Sequence, residues 1–431
     1  MKTFIYDEFG PEDTAMMQAL YSRSAASVEE HAEKVKKSGS GKFMERFYVG
    51  YGHASIADCG STTIFVEGVS MLVAKALQDW PLYSGQETSS RYIDFANQEI
   101  VDPLGTAESK AIIKNWLDFY VNSREPLIVY LKKRYPRRPV EDEAVYDKAI
   151  TSRSFDVLRA FLPAGATTQL SWHTNLRQAA DKLALLKYYP LEEVKTVAKN
   201  IHDKLKEKYP SSFSHKEYEE QEKYRQSTVE NYTFYKTNIC NPNFVYSTTI
   251  NPTVLTQYQD VLSRRPTKTN LPHFLTELGT ISFEFLLDFG SFRDIQRHRH
   301  GVCRMPLVTT SCGFNDWYLN QLPDDLRLQA FDLIKKQSVA IETLPTTVEI
   351  KQYYVAMGFN VSCKVTYGLP ATVYTVELRS GKLVHPSLRR VAHQMHYGLK
   401  ALFPDLVLHS DLEPDDWDVR RGLQDIKEKT N

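Results

Sequence analysis

Two short segments carry the residue types that suit binding of an anionic ligand. One is the basic triplet Arg297-His298-Arg299, and the other is SGQETSSRY, which ends in Arg91 and Tyr92. Guanidinium groups bind phosphate oxygens through paired hydrogen bonds, and neighbouring hydroxyls add further donors. We therefore predict that each segment binds a phosphate-bearing group.

The composition requires any such anion site to be local. The 431 residues include 53 Lys and Arg against 53 Asp and Glu, so the formal net charge is zero and no overall field attracts nucleic acid or an anionic membrane. The hydrophobic fraction of 42% is typical of a globular protein, and the length favours two domains over one. We expect no nucleic-acid or membrane partner.

The elements that precede the two segments are similar to each other. GHASIADCGSTTIFVEGVSMLVAKALQ and GTISFEFLLDFGSFRDIQRHRH both pass from an alternating stretch, typical of a strand, into an apolar run with helical spacing. A second pair has the same order, with LPAGATTQLSWHTNLR matched to LPATVYTVELR. We interpret the two pairs as an internal duplication.

The predicted repeats are residues 1–215 and 241–431, joined by a polar, tyrosine-rich linker at 216–240. Long helical patterns such as VKTVAKNIHDKLKEK alternate with short strand-like runs such as STTIFVEG. This mixture predicts the α+β class, with an antiparallel sheet and packed helices in each repeat.

Taken together, the two segments resemble the signature of the flavin-dependent thymidylate synthases (ThyX), RHRxxSxNxxSxRY. The second repeat keeps the Arg-His-Arg of this signature, and the first keeps its serines and its Arg-Tyr end. Gln86 stands in place of the signature's Asn, and Asp79-Trp80-Pro81 replaces the first repeat's Arg-His-Arg. The resemblance implies two tandem, degenerate ThyX-like domains that build composite sites.

The resemblance also implies roles for individual residues. The residues implied in nucleotide binding are Ser84, Gln86, Glu87, Ser89, Arg91, Tyr92 and Arg159. The residues implied in flavin binding are His53, Asn175, Arg177, Arg297, His298, Arg299 and His393. Arg159 and Arg177 have a simpler alternative interpretation as salt-bridged surface residues.

The family's arginine over the pyrimidine ring has two candidate positions here. The first repeat has only Lys187 in that place. In the second repeat Arg389, followed by His393, has the family spacing and is the favoured candidate, with Arg379 and His385 as the alternative register. In the segment LPATVYTVELR, which ends at Arg379, Glu377 occupies the place of the family's flavin-facing Asn.

The activity that the resemblance implies is FAD-dependent methylation of a uridine nucleotide at C5. In that reaction dUMP becomes dTMP, with methylenetetrahydrofolate and NADPH as co-substrates. A homodimer of fused repeats would mimic the family's tetramer. The alternatives are methylation of UMP or hydroxymethylation of a related uridylate, and a flavin- or nucleotide-binding scaffold that has lost catalysis.

The remaining patterns concern metal binding and location. His393 and His396 lie one helical turn apart, but no third ligand follows at a fixed spacing, so we predict no metal site. The five cysteines are odd in number and scattered, as is typical of a reducing compartment. With no targeting pattern in the first residues, we expect a cytoplasmic protein.

Overall fold

The computed structural model describes residues 7–24, 26–91, 93–235, 240–241 and 243–414. The chain divides into two compact units. Unit 1 comprises residues 1–69, 73–87 and 168–233. Unit 2 comprises residues 70–72, 88–167 and 234–431.

The helices and strands are numbered in chain order. The α-helices are α1 Pro11–Tyr21, α2 Val28–Ser38, α3 Gly41–Phe43, α4 Ala54–Ala57, α5 Met71–Gln78, α6 Ala107–Arg134, α7 Glu143–Leu158, α8 Leu176–Leu186, α9 Glu192–Lys208, α10 Glu219–Tyr232, α11 Pro252–Leu255, α12 Gln259–Ser263, α13 Phe289–Ile295, α14 Asp316–Leu319, α15 Asp324–Glu342, α16 Val348–Lys351, α17 Leu369–Arg379 and α18 Pro386–Leu402. The strands are β1 Ser61–Ser70, β2 Thr167–Asn175, β3 Phe234–Tyr235, β4 Val245–Thr248, β5 Thr280–Asp288, β6 Gly301–Cys303, β7 Met305–Pro306 and β8 Asn360–Gly368. A π-helical turn, Met44–Gly50, and four 3-10 turns, Arg159–Phe161, Thr256–Tyr258, His273–Leu278 and Gln352–Tyr354, complete the set in the described residues.

Unit 1 is built on the pairing of β1 with β2 and the helices that follow each strand. Exposed and partly buried residues alternate along β1, whereas α5, which comes next, is buried. Asn175 begins α8, where its side chain accepts a hydrogen bond from the Gln178 amide. The polar linker predicted at 216–240 contains α10, a helix with no buried residue.

Unit 2 contains a four-stranded antiparallel sheet in the order β4-β5-β8-β6. The registers pair Phe283 with Val365 and Phe285 with Cys363, and all four side chains are buried. Helices α13, α17 and α18 contact β5 or both central strands. Small antiparallel sheets with packed helices agree with the predicted α+β class.

The compact units do not follow the predicted repeat boundary. Residues 88–167, which include α6 and α7, group with the C-terminal half of the chain in unit 2. Sequence self-comparison detects ancestry of a segment, whereas compactness reflects the partner against which a segment buries its apolar side chains. The tandem duplication therefore stays a proposal.

The first predicted pair of similar segments has the predicted order of elements, and the second needs a new register. Both members of the first pair form a strand followed directly by a helix, β1 with α5 and β5 with α13. In the second pair, however, Leu162 precedes β2 whereas Leu369 begins the helix after β8. The match was misleading because Leu-Pro-Ala suits both a turn and the first turn of a helix.

Matching β2 with β8 gives equal lengths for both elements: each strand has 9 residues, and each following helix, α8 or α17, has 11. In this register Asn175 corresponds to Gly368, and not to Glu377. Glu377 instead forms a salt bridge with Arg265.

The cysteine pattern predicted reduced thiols, but Cys240 and Cys312 form a disulfide. The two residues are 72 positions apart in the chain. They meet because β3 and β7 pair in parallel, with each cysteine a few residues beyond its strand. Within the described part of the chain, no helix combines the length and the apolarity needed to cross a bilayer.

Candidate functional site

Helix α13 positions the predicted basic triplet. The side chain of Asp288 accepts a hydrogen bond from the Ser291 amide and so caps the helix at its start. The helix ends at Ile295, and the triplet follows within one turn. Asp294, in the last turn, therefore lies one helical turn before Arg297, with 3.6 Å between Oδ1 and Nε of the pair.

The charges of four arginines act on the carboxylate of Asp294. Burial opposes its ionisation, but the charges of the guanidinium groups outweigh burial and lower the pKa of Asp294; they belong to Arg297, Arg379, Arg159 and Arg91. All of them lie in unit 2. Asp294, which the sequence analysis did not identify, therefore interacts electrostatically with an arginine of each predicted segment, Arg91 and Arg297.

Arg91 is held in this cluster by helix α7. Its Nε and Nη2 donate to the two carboxylate oxygens of Asp156 at 2.5 and 3.0 Å. The Asp156 side chain is only 3% exposed, while that of Arg91 is 17% exposed. A bidentate pair with a buried carboxylate fixes the plane of the guanidinium group.

Arg379 and His298 form a direct contact in the same cluster. Arg379 Nε donates to His298 Nε2 at 2.8 Å, and Nη2 donates to the backbone carbonyl of Asp294 at 2.7 Å. Burial, followed by the positive charge of Arg379, lowers the pKa of His298 to about 3. His298 is thus a neutral imidazole that accepts at Nε2.

The members of the triplet differ in exposure. The Arg297 side chain is 49% exposed. His298 is buried, and Arg299 is partly buried, with Nη1 donating to the Arg297 carbonyl at 3.2 Å. Arg297 is consequently the member of the cluster that is most open to an external anion.

Arg159 occupies neither of its predicted settings. The residue is only 2% exposed, so its side chain is not on the surface. Its Nη2 donates to Ser291 Oγ at 3.1 Å. Ser291 in turn contacts His385 and Ser387, and Ser387 donates to Asp288. This placement favours a supporting role for Arg159 beneath α13 over contact with a phosphate.

The first part of the SGQETSSRY segment lies in unit 1, along β2. Ser84 pairs with His173, and the backbone amide of Gln86 donates to Ser171 Oγ at 3.2 Å. Glu87 is a correction: its 2% exposed carboxylate lies 2.7 Å from the ammonium group of Lys75, so it is a buried ion-pair partner instead of a nucleotide ligand.

The second part of the segment, from position 88, lies in unit 2. Ser89 Oγ accepts from the Arg91 amide at 3.3 Å, which stabilises the turn that carries this arginine. Tyr92 lies outside the described residues. Ser90, which the signature does not include, accepts a hydrogen bond from Arg293 at 3.0 Å.

The residues of unit 1 that are predicted to bind flavin make contacts within that unit. His53 is exposed and lies beside the rings of Phe47 and Tyr51. Asn175 caps α8, and Arg177 Nε donates to Asp58 at 2.7 Å with a side chain that is 34% exposed. For Arg177 the structure agrees with the salt-bridge interpretation.

Arg389 and His393, the favoured pair for the pyrimidine ring, are bound elsewhere in unit 2. Arg389 is 2% exposed and donates to the Ser380 carbonyl and the Asp411 carboxylate, while His393 Nε2 contacts the Asp411 carbonyl at 2.9 Å. Both candidate arginines are followed by a histidine, so the sequence pattern does not separate them. The structure brings the alternative, Arg379, to the triplet.

Two residues of the cluster were missed, Asp156 and Asp294. A signal existed for Asp294, which stands three positions before Arg297 on a predicted helix. Asp156 is distant in sequence from every motif, so only the packing of α7 reveals it. Among the described residues, no group of three or more His, Cys, Asp and Glu side chains is placed to hold a metal ion.

Comparison with known proteins gives relatives along most of the chain. The chain is similar to a UPF0159 protein of Chlamydia muridarum. The two are 26% identical over 417 residues, and the match covers 82% of this chain and 77% of the relative. A UPF0159 protein of Thermoplasma acidophilum is 22% identical over 471 residues, covering 91% of this chain and 94% of that one.

A solved structure and a family model are also similar. The solved structure is that of flavin-dependent thymidylate synthase ThyX from Helicobacter pylori complexed with FAD and dUMP. The sequence identity is 18%, the match covers 47% of this chain and 94% of that chain, and the TM-score is 0.29. The family model described as thymidylate synthase complementing protein matches residues 6–211. Over that segment, which is a little under half of the 431 residues, the chain is similar to the thymidylate synthase complementing protein family.

Proposed function

We propose that this protein is a flavin-dependent enzyme that methylates a uridine nucleotide at C5, converting dUMP to dTMP with methylenetetrahydrofolate and NADPH. The observation that supports the proposal most directly is that Arg91, Arg297 and Arg379 all interact electrostatically with Asp294. Arg91 and Arg297 come from the two halves of the split family motif, and Arg379 comes from a separate segment of the second repeat. A cluster of guanidinium groups in one compact unit is suited to a ligand that carries phosphates.

The donor set of the cluster fits FAD and a nucleotide. Arg297 and Arg299 offer guanidinium groups, one of them half exposed, to a diphosphate. Arg91 and Ser89 lie on one turn and suit the single phosphate of a nucleotide. Arg91 is oriented for this by its bidentate pair with Asp156.

Arg379 is the residue that we propose to polarise the pyrimidine ring. Two of its nitrogens are fixed, by His298 and by the Asp294 carbonyl, so the cation is oriented before substrate binds. His298 is neutral and adds no competing positive charge. The bound flavin supplies hydride and one-carbon transfer that no protein side chain can carry out.

A single flavin site per chain follows from the first repeat's replacement of the triplet. There Trp80 Nε1 donates to Gln178 Oε1 at 2.8 Å, and Lys182 Nζ donates to the Asp79 carbonyl at 2.8 Å. Lys182 also lies 5.7 Å from the centre of the Trp80 ring, a cation–π contact. These side chains satisfy one another, which favours a structural role for this segment and one FAD per chain.

The alternative substrates have less support once Arg379 is considered. They were motivated by the absence of a ring arginine from the first repeat, and the second repeat supplies one. We retain the tandem duplication, the homodimer of fused repeats and the cytoplasmic location as parts of the proposal. The duplication is supported by the matched strand and helix lengths around β2 and β8.

The test combines flavin binding with product analysis. Purified protein is titrated with FAD, then incubated with NADPH, methylenetetrahydrofolate and either dUMP or UMP, and products are identified by mass spectrometry. We expect one FAD per chain and dTMP as product. A methylated or hydroxymethylated UMP would replace the substrate that we propose, and FAD binding without turnover on any nucleotide would favour the scaffold.

Arg297→Ala tests the site in the same titration. Its matched control is Arg264→Ala, since Arg264 is also an exposed arginine that pairs with an aspartate of the helix just before it, Asp260 at 3.4 Å. We expect FAD affinity to fall at least about tenfold for Arg297→Ala alone, the loss of one charge-assisted contact. Equal affinity in the two variants would contradict the proposed flavin site.

A further inference from the structure

The hydroxyl group of Tyr367 is buried and has no role in the site as proposed so far. The residue lies on β8, near its end, with a side chain that is 1% exposed. Its hydroxyl has no hydrogen-bond partner within the described part of the protein. Nearly all buried hydroxyl groups are hydrogen-bonded, because burial without a partner is unfavourable, and each exception calls for an explanation.

The position of Tyr367 relates it directly to the basic triplet. It is paired across the sheet with Gly301, the second residue after Arg299. A Cβ at position 301 would lie 2.4 Å from the Tyr367 ring, so the strand that follows the triplet packs against this ring without a side chain between them. The ring is therefore fixed beneath the start of β6.

Tyr367 and Arg379 also interact electrostatically. Helix α17 begins two residues after Tyr367 and ends at Arg379, and the phenol and the guanidinium each feel the other's charge. Cys303 and Cys363 are the other titratable groups near the phenol. Arg379 donates to His298 of the triplet, and Tyr367 is paired with Gly301 just after it, so both residues adjoin the same segment.

We propose that the Tyr367 hydroxyl is a ligand-binding donor that, together with Arg379, recognises a carbonyl oxygen of a planar heterocycle. A hydroxyl hydrogen beside a guanidinium group favours an acceptor, and it disfavours a ligand that presents a donor or a positive charge. A flavin ring and a uracil ring both carry such carbonyl oxygens. This inference rests on the proposed function and adds to it a residue outside the family signature.

The test is Tyr367→Phe, which removes only the hydroxyl, with Tyr354→Phe as the matched control. Tyr354 is also a buried tyrosine of unit 2, but its hydroxyl donates to Asp102 at 2.6 Å. For each variant the thermal midpoint of the ligand-free protein is measured, together with the dissociation constants of FAD by fluorescence and of dUMP by calorimetry. The two titrations identify which ring supplies the acceptor.

We expect Tyr367→Phe to keep or raise the thermal midpoint and to weaken binding of FAD or dUMP about tenfold, the effect of one lost hydrogen bond. Tyr354→Phe should lower the midpoint and leave both affinities unchanged. If Tyr367→Phe lowers the midpoint and binds both ligands as the wild type does, the hydroxyl is structural and the inference is wrong. Failure of the wild-type protein to bind either ligand would instead reject the proposed function, and with it this inference.

Discussion

Arg379 Nε lies 2.8 Å from His298 Nε2 and donates a hydrogen bond to it, joining the end of α17 to the basic triplet. The acceptor nitrogen must be unprotonated, so this contact exists only while His298 is neutral. Burial and the charge of Arg379 both favour the neutral form. The contact therefore links the stability of unit 2, and the orientation of Arg379, to pH.

The first prediction is that His298 makes the fold less stable as the pH falls. Its pKa is about 3 in the folded protein, against about 6.5 for an ordinary histidine, so the unfolded chain binds a proton between these values that the folded chain does not. The contribution is complete above about pH 6.5 and declines toward pH 3. Across that range the free energy of unfolding should rise by up to about 1.4 kcal/mol per pH unit from this group.

This prediction is checked by urea unfolding between pH 4.5 and 7.5. His298→Gln can still accept from Arg379 but cannot titrate, so we expect a shallower dependence on pH. His273→Gln, at an exposed histidine of unit 2, is the control and should keep the wild-type slope. Equal slopes in all three proteins would show that His298 is not buried as a neutral base.

The second prediction separates the two candidate ring arginines. Arg379→Lys removes the planar group that contacts His298 and should lower turnover at least about a hundredfold, with a change in unfolding free energy of no more than about 1 kcal/mol. Arg389→Lys breaks the contacts with Ser380 and Asp411 at a residue that is 2% exposed, so it should lower stability by about 2–4 kcal/mol.

Steady-state rates with dUMP and urea midpoints test both variants. Arg389→Lys could lose activity well below its unfolding transition while Arg379→Lys keeps normal rates. That result would reverse the assignment and give the role to Arg389, the residue favoured by the family spacing.

These contrasts show what the sequence could predict. The two half-motifs contain several residues at fixed spacing, so their resemblance to one family and the expectation that Arg91 and Arg297 serve one site were accessible from the residues alone. Strand-to-helix transitions before each motif were also predictable, because a change of hydrophobic period marks them. Both predictions depend on patterns local in the chain.

The errors have the opposite character. Glu87 matched the motif by position, but its burial with Lys75 depends on how β2 and α5 pack. The choice between Arg379 and Arg389 depends on which of them contacts the triplet, and the hydrogen bond from Arg379 to His298 is visible only in the folded chain. Asp156 and Tyr367 act through partners distant in the chain, which a single sequence does not reveal.

The third prediction concerns the pair of Arg91 and Asp156. Removing Arg91 leaves a carboxylate that is 3% exposed without its partner, so Arg91→Ala should lower the free energy of unfolding by about 3 kcal/mol in addition to weakening nucleotide binding. A double-mutant cycle with Asp156→Ala should give a coupling energy of about 1–3 kcal/mol. The cycle for the exposed pair Lys114 and Asp118 is the control, with an expected coupling below about 0.5 kcal/mol.

Urea unfolding at neutral pH measures both cycles. Strictly additive effects at Arg91 and Asp156 would mean that this ion pair does not hold the arginine, and orientation of Arg91 before ligand binding would then lose its basis.

The last prediction is that Cys240 and Cys312 stabilise unit 2 through their disulfide. The bond closes a loop between residues 72 positions apart, and the loss of chain entropy in the unfolded state is worth up to about 4 kcal/mol for a loop of that size. Cys312→Ser should therefore lower the free energy of unfolding by about 2–4 kcal/mol, and reduction of the wild type should have the same effect. Cys59→Ser, at a partly buried thiol outside the disulfide, is the control and should change stability by less than about 1 kcal/mol.

Thiol titration in urea provides an independent measurement. Protein purified without reductant should expose the three thiols of Cys59, Cys303 and Cys363, and all five cysteines after reduction. Five reactive thiols before reduction would show that the bond is absent from the protein as purified. Since the bond joins the loop after β7 to the chain beyond β3, its loss should leave FAD binding at Arg297 intact unless unit 2 itself unfolds.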